Sequence, residues 1–222
     1  MEAQRVTILK TEYVTLDVKR FVLTRPKGFR FMPGQGCMVS IDMEGLREEK
    51  RAFTFTNLPS ARTLELIVKI YPGHKGVTQQ MSLMRKGDAL LLHEVFGTIT
   101  YKGPGFFFAG GAGITPFLAI FRQLHKEGRL KGSTLVYSNK AASDVIMDEE
   151  LTAMLGRNYL KTFTRQGVIG FRDRRIDKDT LITLVQDFDQ HFYLCGPPEF
   201  VGDLQRMLVE LGASPESLVF EA

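Results

Sequence analysis

The segment Ala109-Gly110-Gly111-Ala112-Gly113-Ile114-Thr115-Pro116 is the strongest chemical signal in this 222-residue sequence. It lies where a continuous apolar run, Phe106-Phe107-Phe108-Ala109, gives way to a helical pattern opening at Thr115. Glycines at such a junction let the backbone approach an anion closely, and the free amides at a helix start favour a pyrophosphate. Thr115 can cap that helix, and Pro116 suits its first turn. The pattern departs from G-x-G-x-x-G, because Pro116 stands in place of the third glycine. A second signal is Tyr193-Leu194-Cys195-Gly196-Pro197-Pro198, at the carboxyl end of one expected strand and ahead of a helix. Open α/β sheets bind ligands at that edge. Taken alone, Cys195 also suits a small buried filler. The third signal, Arg51-Ala52-Phe53-Thr54, sets an arginine and an aromatic in one strand. A guanidinium can clamp a pyrophosphate by two parallel hydrogen bonds, and a flat aromatic can cover a flat ring. Taken alone, the tetrapeptide equally describes a surface arginine beside a core phenylalanine.

These segments need elements to position them. Alternating apolar and polar residues predict strands over 6–14, 17–24, 36–41, 51–56, 62–71 and 89–93, punctuated by Pro33-Gly34, Pro59, Pro72-Gly73 and Lys86-Gly87. In 62–71, Leu64, Leu66, Val68 and Ile70 form one apolar face, which predicts a mostly one-sided strand. A short helix is expected from about Gly76 to Met84. Such spacing suggests a barrel or a sandwich. After Lys102-Gly103-Pro104-Gly105 the pattern becomes strand 106–109, helix 115–127, strand 134–137, helix 148–155, strand 159–163, helix 178–185, strand 191–194, helix 199–211 and strand 218–220. That alternation is the mark of a doubly wound parallel sheet. The expected architecture is therefore two domains: an antiparallel β-barrel over 1–101 and an α/β domain over 106–222.

Composition narrows the class. A hydrophobic share of 44% and a charged share of 24% describe an ordinary globular protein, with ample length for two cores. The two cysteines, Cys37 and Cys195, are too few for a zinc ribbon or an iron–sulfur cluster, and they suit a reducing cytoplasm better than a disulfide. No stretch approaches a membrane span, and the N-terminus lacks the apolar core of a signal peptide, so a cytoplasmic protein is expected. The net charge of +4 and pI near 9.1 suit an anionic cofactor, an acidic protein or nucleic acid. No aromatic-and-basic stacking motif supports nucleic acid. The histidines His74, His93, His125 and His191 are scattered and read as surface or structural.

Together, and in this order, the motifs resemble the ferredoxin–NADP reductase superfamily over essentially the whole chain. Phe31-Met32-Pro33-Gly34-Gln35 is similar to its F-x-P-G-Q segment, Arg51–Thr54 to its R-x-[YF]-[ST] flavin signature, and Gly76-Val77-Thr78 to its G-x-[ST] helix start. Gly110–Pro116 is similar to G-G-x-G-I-T-P, and Cys195–Pro198 to C-G-P-P. The resemblance implies that the barrel binds flavin and the α/β domain a nicotinamide nucleotide. FAD is implied over FMN. Arg51 would hold the flavin pyrophosphate with the Val77 and Thr78 amides behind Gly76. Ala52, Ile70 and Tyr71 would line the flavin site, Phe53 would stack on the ring, and Thr54 would bond its N5. Strict alternation puts Arg51 and Phe53 on one face and Thr54 on the other, so the flavin would lie across the strand end or a twist would turn Thr54 inward. Gly111, Gly113 and Thr115 would receive the nucleotide's pyrophosphate and ribose. Thr54, Cys195 and Glu221 are the implied catalytic positions; Cys195 and Glu221 would flank the nicotinamide, with Gly196 and Pro197 also in contact with the nucleotide.

Nucleotide choice depends on the ends of the second and third α/β strands. Tyr137-Ser138-Asn139-Lys140 offers no acid to read a ribose diol, and Thr164-Arg165 resembles the family's S-R pair. Ser138, Lys140 and Arg165 thus favour NADPH over NADH. The implied activity is hydride transfer from nicotinamide to flavin, with onward passage of electrons to an acidic flavodoxin or ferredoxin; Arg47, Lys50, Lys69, Lys75 and Lys102 are candidate docking charges. The competing readings are a flavin, ferric-chelate or quinone reductase and a non-autonomous electron-relay subunit. The sequence reaches Ala222 just past Glu221, without the terminal aromatic that covers the flavin in many members, and so does not show what shields the ring's second face.

Overall fold

Alternation in the N-terminal half yields six antiparallel strands: β1 Gln4–Thr15, β2 Val18–Thr24, β3 Gln35–Ile41, β4 Arg51–Thr54, β5 Thr63–Lys69 and β6 Ala89–Gly97. The computed structural model describes all residues except 1–2, 72, 74–75, 98, 166–174 and 221–222. Sheet order is β4-β3-β6-β1-β2-β5. A bridge from Phe55, just past β4, to Leu66 of β5 joins the two outer strands and closes the barrel. Inward residues Ile8, Phe21, Leu23, Val39, Leu64, Leu66 and Leu90 are fully buried, each worth about 1.5–3 kcal/mol in apolar burial. Helix α1, Val77–Leu83, adds Val77 and Met81 to that core. Its C-terminal end is held by buried Lys19, whose Nζ donates to the carbonyls of Ser82 at 2.8 Å and Met84 at 2.7 Å. A cation there complements the negative end of the helix.

β5 departs from the one-sided pattern expected of it. Its second face is also covered, leaving Glu65 only 5% and Ile67 only 4% exposed. The cover includes helix α2, Thr115–Lys126, whose Arg122 bonds Glu65.

The C-terminal half forms a parallel sheet of β7 Gly105–Gly110, β8 Ser133–Asn139, β9 Tyr159–Phe163, β10 His191–Cys195 and β11 Leu218–Phe220, with order β11-β10-β7-β8-β9. The other helices are α3 Asp148–Leu155, α4 Lys178–Leu184 and α5 Pro198–Glu210. β7, buried on both faces through Phe107, Phe108 and Ala109, occupies the centre that its unbroken apolar run requires. The chain winds outward from β7 through β8 to β9, then returns to β10 on the other side, so the order reverses between β7 and β10. Ligand crevices form at such a reversal. By contacts the chain divides into one unit of Met1–Thr98 with Thr115–Gln123, and a second of Ile99–Ile114 with Leu124–Ala222. Most of α2 thus groups with the barrel. Among the described residues no helix is long and apolar enough to cross a membrane.

Candidate functional site

The two glycine-bearing loops follow adjacent strands. Cys195 of β10 pairs with Ala109 of β7, so the turns after them begin side by side. Gly111–Ile114 form a single 3-10 turn that the sequence pattern does not announce. A Cβ on Gly113 would lie 2.2 Å from the Cys195 carbonyl oxygen and 2.6 Å from the Gly196 amide nitrogen. A Cβ on Gly110 would meet Pro197 at 3.0 Å and Phe200 at 3.1 Å, and one on Gly196 would stand 3.1 Å from Gly110 backbone. The G-G-x-G and C-G-P-P segments therefore interlock through glycines that leave no room for side chains. Gly111 is different: its φ of +53° is left-handed, and a Cβ there would meet nothing within 4 Å. That leaves open space over a turn whose backbone could face an anionic group. Cys195 is 7% exposed, Gly196 is half-buried, and Pro197 is exposed.

One residue that the sequence pattern did not assign, Tyr137, supports this turn, and Asn139 lies beside it. Tyr137 of β8 donates its hydroxyl to the Gly111 carbonyl at 2.9 Å and receives the Ile146 amide at 3.4 Å. Burial pushes its phenol well above the usual range, so it stays a donor. Asn139, two residues on and on the same strand face, is 5% exposed. Its carboxamide lies beside the Tyr137 hydroxyl, yet Nδ2 and Oδ1 are both buried without a geometrically sound partner. Thr162 Oγ1 on β9 is likewise buried and unpaired. Such groups cost about 1–3 kcal/mol each when left unpaired. A tyrosine following Leu135-Val136 within a strand, whose hydroxyl needs a partner when buried, was the available signal.

Backbone bonds from Thr164 to Asn139 at 2.9 Å and from Arg165 to Lys140 at 3.0 Å hold the ends of β8 and β9 together. Lys140 and Arg165, both exposed, are thus neighbours at one edge, beside buried Ser138.

In the barrel unit, β4 lies on β3 with Arg51 opposite Val39, Phe53 opposite Cys37 and Thr54 opposite Gly36. Gly36 permits that approach, since a Cβ on it would sit 2.7 Å from the Phe53 carbonyl. The strand alternates regularly: Arg51 and Phe53 share one face, Ala52 and Thr54 the other. Phe53 packs half-buried against the core, while Arg51 and Ala52 are exposed and Thr54 is half-buried. The Arg51 guanidinium bonds the Lys50 carbonyl at 2.7 Å and stands 3.4 Å from Glu49. Ile70 is buried, its amide bonded to Asp17 at 2.7 Å, and Tyr71 is exposed. Gly76 opens α1 without a side-chain cap, ahead of buried Val77 and half-buried Thr78. The exposed guanidinium and this uncapped start fit a diphosphate. Thr115 begins α2 and is half-buried. Glu221 lies outside the described residues.

Of the candidate docking charges, Arg47 pairs with Asp42 at 2.8 Å and Lys69 with Asp17 at 2.7 Å. Lys50 is half-buried, Lys102 is exposed, and Lys75 lies outside the described residues. Both cysteines are buried, and burial pushes the Cys37 thiol up to about 12. Among the described residues no group of three or more His, Cys, Asp or Glu could hold a metal ion.

Residues 107–206 match the sequence model of the oxidoreductase NAD-binding domain. That stretch is a little under half of the chain, and the whole chain has a two-part fold like that of ferredoxin–NADP reductases. Among solved structures, it is similar to the flavohem-like FAD/NAD-binding domain of nitric oxide dioxygenase from Vibrio cholerae, at TM-score 0.87 and 21% identity over 100% of this chain and 98% of that one. It is also similar to a ferredoxin NADP+ reductase from Neisseria gonorrhoeae, at TM-score 0.81 and 23% identity over 96% and 92% of the two chains. Among curated proteins, it is 28% identical to the reductase component of propane 2-monooxygenase from Rhodococcus jostii over 97% of its length. It is 26% identical to the ferredoxin–NAD(P)+ reductase component of naphthalene 1,2-dioxygenase from Pseudomonas putida, again over 97%. The chain spans 62% of the first relative and 67% of the second.

Proposed function

We propose that the chain is a flavin-dependent NAD(P)H oxidoreductase that passes electrons through FAD to a separate small electron carrier. The interlock of the Gly110–Gly113 turn with Cys195–Pro197 carries this reading. It fixes two loops at the reversal point of a parallel sheet that matches the oxidoreductase NAD-binding domain over residues 107–206. The names of the curated relatives, reductase components that serve oxygenases, support an acceptor outside the chain.

When bound, the cofactors supply hydride transfer from reduced nicotinamide to flavin and release of the electrons onward; the chain's work is binding and orientation. Gly111 and Gly113 present backbone to the nucleotide diphosphate, and Tyr137 holds their turn by the Gly111 carbonyl. Lys140 and Arg165, paired at one edge, suit a 2′-phosphate and favour NADPH. In the barrel unit, Arg51 and the start of α1 receive the flavin diphosphate, with Phe53 and Thr54 at the ring. Cys195 and Glu221 are assigned to the nicotinamide end. An acidic flavodoxin or ferredoxin suits the net charge of +4.

The test is anaerobic bleaching of the purified protein's flavin absorbance by NADPH and NADH in turn, followed by addition of a flavodoxin, a ferredoxin or a ferric chelate. Fast bleaching and reoxidation by a protein carrier are expected. Reoxidation by the chelate alone would favour a diffusible acceptor, and a flavin that neither nucleotide bleaches would remove the reductase reading.

A further inference from the structure

Glu65 and Arg122 form a buried charged pair that none of the binding roles above uses. Glu65 carries a side chain 6% exposed, and Arg122 one 13% exposed. Arg122 Nη1 lies 2.7 Å from Glu65 Oε1 and donates to the Thr56 carbonyl at 2.7 Å. The Thr56 hydroxyl donates to the same carboxylate oxygen at 2.7 Å, Arg20 Nε reaches the other oxygen at 2.7 Å, and Asn57 Oδ1 accepts the Glu65 amide at 2.8 Å. Every one of these groups belongs to the barrel unit.

The position of the cluster gives it a purpose. Thr56 follows Arg51–Thr54 by two residues, so the carbonyl gripped by Arg122 lies on the chain emerging directly from the flavin strand. Arg122 stands seven residues beyond Thr115 on α2, which is two helical turns, about 10 Å along the axis and on the same helix face. A surface-facing pair of this kind contributes little. A buried carboxylate held by two arginines and a threonine has one permitted geometry, because any shift leaves charge unpaired. Plain apolar packing would hold the helix with equal strength and far less directional control.

We infer that Arg122, acting through Glu65 and the Thr56 carbonyl, is a positioning residue that anchors α2 to the chain just beyond the flavin strand and so sets the place of Thr115, two turns earlier on the same helix. The inference rests on the proposed nicotinamide- and flavin-binding roles. Displacement of Thr115 then weakens nucleotide binding without loosening flavin, whose ligands on β4 and α1 stay in place.

The experiment compares flavin-replete wild type with Arg122→Met and Arg122→Lys. NADP+ is titrated into the oxidised proteins, with the flavin absorbance change as the signal, and flavin content and melting temperature are recorded beside it. Arg122→Met is expected to keep its flavin while nucleotide affinity falls by about tenfold or more, the scale of a misplacement near 1 Å. Arg122→Lys, which keeps the charge, is expected to recover part of that loss. A Met variant that melts lower yet binds NADP+ within about twofold of wild type would overturn the proposal and leave the cluster a stabilising one. Should Arg122→Met fail to fold, Glu65→Gln takes its place, and unchanged affinity there has the same meaning. Failure of NADPH and NADH to bleach the wild type would instead strike at the reductase reading.

Discussion

Gly113→Ala gives the sharpest test of the loop geometry. The added methyl would sit 2.2 Å from the Cys195 carbonyl oxygen and 2.4 Å from its carbon. Ordinary contacts begin at about 3.5 Å, so the two backbones must part by roughly 1 Å. Neither neighbour is a side chain that can rotate away. Overpacking of this kind costs about 1–3 kcal/mol, and the rigidity of both backbones puts the cost near the upper end. In a chain of this size that lowers the melting temperature by roughly 6–10 °C. The same separation spreads the turn from Cys195, and a 1 Å error at a reacting site costs about 100-fold in rate. Gly111→Ala is the control. Its φ of +53° strains an alanine, but the methyl would enter open space. It should cost about 1–2 kcal/mol while weakening nucleotide binding by intruding on the ligand's room. Thermal melts and stopped-flow flavin reduction on both variants decide the matter. If Gly113→Ala melts within about 2 °C of wild type and reduces at the wild-type rate, or if Gly111→Ala is the less stable of the two, the interlock argument is wrong.

The remaining expectations are quickly stated. Arg51→Ala should weaken flavin binding by about 10- to 100-fold through lost charge-assisted bonds; the flavin-to-protein absorbance ratio after gel filtration measures it, and an unchanged ratio would count against the role. Cys195→Ala should slow flavin reduction by about tenfold with flavin content unchanged, and a wild-type rate would make Cys195 a filler. Replacing Lys140 and Arg165 together by serine should lower kcat/KM for NADPH by about 100-fold and spare NADH, whereas an unaltered NADPH-to-NADH ratio would mark them as solvated charges. The Glu65 carboxyl is raised by burial but lowered more by Arg122, the Thr56 hydroxyl and Arg20, so it titrates below its ordinary 4.5. Its stabilisation is therefore present above pH 4.5 and lost as pH falls below it. The gap in melting temperature between wild type and Glu65→Gln should be flat near neutrality and close under acid; a gap that widens as pH falls would contradict the assigned ion pairs.

Local pattern carried the elements well where local forces decide them. Asp148-Glu149-Glu150 at a helix start marks α3 by its fit to the helix dipole, and α3 ends at Leu155 as the pattern required. The apolar run before Gly110 announced the central strand. The expected strand over 51–56 ends instead at Thr54, because the chain then crosses from β3 to β5: the Phe55 amide still bonds Gln35 of β3, while Phe55 bridges Leu66 and the Thr56 amide bonds Glu65. That change depends on a partner strand, which composition near Thr54 does not encode. Glu65 is the fuller case. An acid among apolar residues reads as the wet face of a strand, and its partner Arg122 lies 57 residues away. Only the tertiary arrangement turns a solvent-facing pattern into a buried ion cluster.

The glycines show the same limit within the site. By residue type, Gly111 and Gly113 are equivalent, and the sequence assigns both to the pyrophosphate. The structure separates their reasons for being glycine. Gly113 is excluded from bearing a side chain by the Cys195 carbonyl, so its constraint comes from a loop more than eighty residues downstream. Gly111 is constrained by its own left-handed backbone and by the open space above it. A motif therefore records that a side chain is forbidden without recording what forbids it. Asn139 completes the point from the opposite direction: nothing in Tyr137-Ser138-Asn139-Lys140 distinguishes a buried carboxamide with both polar atoms unpaired from a turn residue in water. Its burial at the end of β8 comes from the flanking strands β7 and β9, which the four residues themselves do not encode.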